Sequence, residues 1–255
     1  MLFSEGLVIL QLLLSKHLKM KKSPQFTDSR AEVMQKIRQQ LGVLPGTRDQ
    51  ARAEAEAYLA AQSIGPQPRL SESAYAQFLT QTKRMSSTYA EINSLAEFPQ
   101  AVAAYLAAQQ LPNRATAWPE FRHLDWQAAG LELHYDAPRA DDLVGITSVF
   151  AAIAETGTLA LCSGPDSPSA TSLLPETHIA LVRSTQIVPY MEEVFARFQA
   201  SSTASTSLGP ENSHQPTLPR ALSFISGPSR TGDIEQTIVL GAHGPYRLHV
   251  IILHE

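Results

Sequence analysis

From Ser86 onward the chain alternates short apolar runs with helix-favouring stretches, and this alternation limits the fold more than any other feature of the sequence. Residues 87–93 read as extended. Phe98, Val102, Tyr105 and Leu106 fall on one helical face, with Pro99 tolerated near the start. Short strands are expected at 114–118 and 131–135, then at Thr158–Cys162 and His178–Val182. Residues 146–154 (ITSVFAAIA) suit helix or strand and are read here as helix. Pro189 is well placed as the first residue of a helix reaching about Ala200. Strand Ala221–Ser226, a turn, a short helix Asp233–Leu240 and strand Tyr246–Leu253 then read as a βαβ unit. The pattern predicts an α/β fold around a mostly parallel sheet, with ligands at the carboxyl ends of the strands.

The earlier part of the chain has a different character. Ser29 and Glu32 form a capping box ahead of Val33, Met34, Ile37 and Leu41 on one helical face, and Gly42 closes that helix. Residues 49–62 are alanine-rich and favour helix. After Pro66 and Pro68, Tyr75, Phe78, Leu79 and Thr82 mark another amphipathic helix. Residues 29–85 therefore read as a helical arm with little core of its own, and 86–255 as the α/β domain. Leu7–Leu14 is apolar but too short to span a bilayer. Glu5 precedes it and lysines follow, the reverse of a secretion signal, so residues 1–28 are read as a loosely ordered extension. Residues 201–219, rich in Ser, Thr and Pro, read as a flexible loop.

Composition removes several function classes. The net charge of −4 argues against a nucleic-acid partner, which would favour a basic chain. One cysteine, Cys162, excludes an internal disulfide and an iron–sulfur cluster held by this chain alone, and suits a reducing compartment such as the cytoplasm. There is no Walker A loop, no Gly-x-Gly-x-x-Gly and no His-Glu-x-x-His. Lysine stops at Lys83, which removes Schiff-base chemistry from the α/β region. Gly227-Pro-Ser229-Arg-Thr-Gly232 is one residue too long for a nucleophile elbow. His249 and His254 are five apart on a strand and point to opposite faces, so with His243 they make no metal site.

Four constellations remain. Glu155-Thr156-Gly157-Thr158 places a lone carboxylate and two hydroxyls around a glycine. If buried, Glu155 would suit acid–base work; the plainer reading is a tight turn with Glu155 bonded to nearby backbone. Ser226-Gly227-Pro-Ser229-Arg230-Thr231-Gly-Asp233 reads as strand, turn and helix start, an anion site with Arg230 as anchor. Asp233 and Gln236 account for the helix cap but leave Arg230 unexplained. His178 before a strand is a site histidine or a satisfied core residue. His243, in Gly241-Ala-His-Gly-Pro245, caps or lines the pocket. Trp118 and Trp126 read as packing residues.

Taken in order, Gly145-Ile-Thr, Ala152-Ile-Ala-Glu-Thr-Gly-Thr-Leu159, Ser172-Leu-Leu-Pro-Glu-Thr-His-Ile179, Ile225-Ser-Gly-Pro-Ser-Arg-Thr-Gly-Asp-Ile-Glu235 and Gly241-Ala-His-Gly-Pro245 resemble the lactate utilization protein C (LutC/YkgG, LUD-domain) family over about residues 29–255. The family often has Ala where this chain has Gly232. The resemblance implies a three-layer α/β/α domain of the NagB/RpiA/CoA-transferase type. It further implies a place in a bacterial system that oxidises L-lactate to pyruvate, beside partner subunits carrying the iron–sulfur clusters. This chain would then be an accessory or ligand-binding subunit with no redox cofactor of its own and a small anionic ligand. The alternative is an enzyme handling an acyl, CoA-like or phosphate ligand through Glu155 and Arg230.

Overall fold

The structure is a computed structural model, and it describes residues 29–41, 48–61, 64–204, 219–232 and 238–255. The extension at 1–28, Gly42, and the capping residues Asp233 and Gln236 lie outside the described residues, as does most of the 201–219 segment.

Two compact units divide between Ile64 and Gly65. The first holds helices α1 (Ser29–Gln40) and α2 (Arg48–Ala61). No residue of α1 is buried, and its apolar side chains Val33 and Ile37 are exposed. The second unit begins earlier than the sequence suggests. Helix α3 (Ala74–Arg84), counted above with the arm, carries Phe78 fully buried in the main core.

That unit continues as β1 (Thr88–Ile92), α4 (Phe98–Ala108), β2 (Arg114–Ala117), β3 (Glu132–His134), β4 (Val144–Ser148), β5 (Ala151–Ile153), β6 (Thr158–Cys162), α5 (Ala170–Leu173), β7 (Thr177–Arg183), β8 (Ile187–Val188), α6 (Met191–Ala204), β9 (Leu222–Ile225), β10 (Arg230–Gly232), β11 (Ile238–Leu240) and β12 (Arg247–Leu253). Six strands form an all-parallel sheet in the order β1-β12-β7-β4-β2-β3. This is the α/β fold built on a parallel sheet that the alternation predicts. Its inner strands read as near-continuous apolar runs, as strands covered on both faces must. Ile146, Ile179, Val250 and Ile252 sit in one core with Phe98, Phe121 and Trp126, whose rings pack 5.3 and 5.6 Å from Phe98.

A second sheet, ordered β8-β5-β6-β9, was not foreseen. Its residues alternate between two environments, as the two-residue period of a strand requires. Ala152, Leu159 and Leu161 join the main core, while Ala151, Ile153 and Ala160 pack under Val194 of α6. The segment 146–154, read as helix, instead forms the end of β4 and all of β5. An apolar run of that length has no periodicity to separate helix from strand. Here the chain leaves the first sheet at Ser148 and enters the second at Ala151.

The C-terminal βαβ reading also fails. β9 belongs to the second sheet, and the expected helix Asp233–Leu240 ends as strand β11, paired antiparallel with β10 from Arg230↔Leu240 to Gly232↔Ile238. Valine and isoleucine at 238–239 favour strand over helix. The helix after Pro189 starts two residues later, at Met191.

Candidate functional site

The two stretches singled out around Glu155 and Arg230 meet because β6 pairs antiparallel with β9, Leu159 opposite Ile225. Residues 154–157 are the loop of the β5–β6 hairpin, closed by Gly157 in the left-handed region at φ +67°. A Cβ on Gly157 would lie 2.8 Å from the backbone of Gln81 and Thr82 at the end of α3. Gly227, at φ +82°, is bound by the same helix end, where a Cβ would lie 2.4 Å from the Met85 carbonyl. Both glycines are thus explained by packing against residues 81–85. Between them runs a line of hydroxyls: Thr156 Oγ1 to Thr158 Oγ1 at 2.7 Å, and Thr158 Oγ1 to Ser226 Oγ at 2.6 Å.

The reactive side chains of the two stretches diverge. Glu155 is partly exposed, and its Oε1 accepts a hydrogen bond from the Met191 amide at 3.3 Å, at the start of α6. This is the plainer of its two readings: a carboxylate on a helix N-terminus. Arg230 extends from strand β10, not from a helix start, and its guanidinium donates to Ser86 Oγ and to the Met85 carbonyl. The expected helix start at Asp233 lies outside the described residues, so at Arg230 only the guanidinium part of the expected anion site is described, and it faces an open cleft.

That cleft has a volume of about 510 Å³. Its walls include Ser86, Thr88, Tyr105, Pro228, Arg230, Leu240, Tyr246 and Arg247. Thr88 and Arg247 are the first residues of β1 and β12. The cleft therefore lies at the amino ends of the strands, not at the carboxyl ends where the fold class would put a ligand. At the carboxyl ends of β4 and β7 there is a cavity of about 90 Å³ beside Ser148 and Arg183.

Beneath the cleft, Tyr105 stacks on His249 with centroids 3.9 Å apart and planes 9° apart, and Thr88 Oγ1 lies 2.7 Å from His249 Nδ1. His249 is 4% exposed, its Nε2 has no partner, and burial lowers its pKa to about 4. Burial also raises the Tyr105 phenol above its usual value. Sequence reasoning missed Tyr105, Thr88 and Arg247. The available signal was Arg247 and His249 standing inside the otherwise apolar run of the last strand.

The remaining expected residues are dispersed. His178 is fully buried in β7, with Nε2 2.8 Å from Thr147 Oγ1, and burial lowers its pKa to about 3. It is a neutral core histidine. Ser229 ties two turns together: its amide donates to Pro245, its carbonyl accepts from Gly241, and its Oγ accepts from the His243 amide. The residue His243 is exposed. Thr231 pairs with Val239 in the β10–β11 hairpin. Trp118 and Trp126 are core residues whose indoles donate to the carbonyls of Pro168 and Phe121. Among the described residues no group of three or more His, Cys, Asp or Glu side chains is placed to hold a metal ion, and no helix is long and apolar enough to cross a membrane.

A parallel α/β core with a second sheet bearing the Glu-Thr-Gly-Thr hairpin against the Ser-Gly-Pro-Ser-Arg strand end defines the class. Residues 46–253 match the LUD domain, and the chain belongs to that family. It is similar to proteins named Lactate utilization protein C. The match in Halalkalibacterium halodurans is 34% identical over 126 residues, 49% of this chain and 50% of that protein. The match in Bacillus subtilis is 32% identical over 140 residues, 51% of this chain and 54% of that protein. The chain thus spans about half the length of the curated relatives it matches. A solved DUF162 family protein from Deinococcus radiodurans aligns with 73% of this chain and 99% of its own, at 26% identity and a TM-score of 0.49.

Proposed function

We propose that this chain serves L-lactate utilisation in the cytoplasm, as a subunit without a redox cofactor of its own in a system that oxidises L-lactate to pyruvate. Partner subunits would carry the iron–sulfur clusters, and this chain would dock on them. The observation that carries the reading is the similarity to several proteins named Lactate utilization protein C. The donor chemistry agrees with it. A single cysteine cannot supply the thiolate set of a cluster, and burial holds the Cys162 thiol above its usual pKa, away from the thiolate form. The competing reading, an enzyme working through Glu155 and Arg230 together, loses support because Glu155 is bonded to the Met191 amide and does not line the Arg230 cleft.

The test is a turnover assay of the purified chain with L-lactate and an electron acceptor, alone and with candidate iron–sulfur subunits. Turnover is expected only in the mixture, together with co-elution of the chain and its partners. Sustained lactate oxidation by the chain alone would overturn the reading.

A further inference from the structure

We infer that the cleft at the amino ends of β1 and β12 binds an organic phosphate monoester with a planar ring, the phosphate held by Arg230 and Arg247. Both guanidiniums line this cleft, and neither forms an ion pair with any carboxylate among the described residues. Arg230 donates to a hydroxyl and a carbonyl, and Arg247 donates to Thr177 Oγ1 at 3.4 Å. In a chain with a net charge of −4, two arginines in one concavity with no carboxylate partner among the described residues form a local positive field. A ligand carrying two negative charges on one group complements that field, and guanidinium forks match phosphate oxygens in geometry. Ser86 and Thr88 add hydroxyls, and among the described residues no Asp or Glu lines the cleft to repel an anion.

Size and wall chemistry separate this ligand from a small acid. A three-carbon hydroxy acid displaces on the order of three or four waters, about 100 Å³ at ~30 Å³ each. That is a small fraction of about 510 Å³. Tyr105, Leu240 and Tyr246 give the rest of the cleft an apolar, aromatic surface suited to a flat ring. Stacking on His249 fixes the Tyr105 ring, and His249 also contacts Thr88, so two of the walls are set before a ligand arrives. The inference is independent of the lactate reading, which stands or falls by the turnover assay.

Calorimetry on the full chain tests it, with AMP, adenosine, inorganic phosphate and L-lactate as probes. AMP is expected to saturate the protein and to bind at least about tenfold tighter than adenosine or phosphate. Arg230→Gln and Arg247→Gln should each weaken AMP by about tenfold while leaving adenosine unchanged. Arg230 is exposed, so Arg230→Gln should keep the parent melting temperature. Affinity of the parent chain for AMP should also fall with added salt. Failure of AMP to saturate up to about 10 mM would overturn the inference, as would equal AMP affinity in parent and variants. L-Lactate binding tighter than AMP, with loss in both variants, would overturn the ligand class and leave a small-acid site.

Discussion

Around β1, β12 and β7 the two ends of the parallel sheet handle charge in opposite ways. At the carboxyl ends, charged groups are paired. Arg183 bonds Glu255, and Glu91 accepts from the Tyr75 hydroxyl at 2.7 Å and lies 2.8 Å from His254 Nε2. At the amino ends, two histidines are buried without a countercharge. His178 and Leu248 are register partners there, His249 is next along β12, and the cleft above holds two arginines with no carboxylate partner among the described residues. Paired charges close an end electrostatically, while unpaired cations over a rigid floor leave it open to a ligand. In this molecule the loaded end is not the one that the parallel topology alone would suggest.

Acid should break this contrast most strongly. His178 and His249 have folded pKa values of about 3 and about 4, below the unfolded value of 6.5. Both are depressed histidines, so the unfolded chain takes up protons first as pH falls. Stability should decline from about pH 6.5 downward, by about 1.4 kcal/mol per pH unit for each histidine, or about 4 kcal/mol for the pair at pH 5. Chemical denaturation across pH 7 to 5 measures the slope, and His249→Gln should flatten about half of it. The carboxyl end behaves differently. Hydrogen bonds from Tyr75 and His254 hold the Glu91 carboxyl below the ordinary value of a glutamate, so its contribution is present above that value and is lost only in stronger acid.

Gly227→Ala should come next. It places a Cβ on the Met85 carbonyl at a positive φ, beside the cleft wall at Ser86. A loss of about 1–3 kcal/mol in urea unfolding is expected, with weaker AMP binding, whereas an unchanged midpoint would mean that the turn is looser than described. The smallest effect should come from Arg183→Ala at the carboxyl end. That pair is about 39% exposed on each side, so the expected cost is under about 1 kcal/mol, with AMP binding intact. A loss of AMP affinity in that variant would erase the distinction between the two ends.

Legibility from sequence followed the range of the interactions. β7 and β12 were visible because each is a single apolar run buried on both faces. Residues 146–154 were not, because the change of sheet at 149–150 is a tertiary event with no local turn signal. The Arg230 stretch is recognisable as unusual, yet the last three residues of the helix expected after it, 238–240, form a strand whose pairing with β10 no local signal announces. Arg247 and Tyr105 escaped notice because the cleft exists only once β12 lies beside β1. No spacing along the chain encodes that neighbour relation. Glu155 illustrates the opposite error: an isolated carboxylate in an apolar stretch invites a chemical role, and here it serves the amide at the start of a helix.

The position of β12 has a consequence for assembly. Among the described residues it is the only strand hydrogen-bonded to β1 and separates it from β7, so β1, made at residue 88, waits for its partner until residue 247. Closing so long a span is entropically costly and slow. During synthesis β1 must emerge from the ribosome with the backbone groups on both of its sides unmatched by this sheet, and any truncation that removes residues 247–253 should leave β1 unpaired and β7 an open edge vulnerable to aggregation.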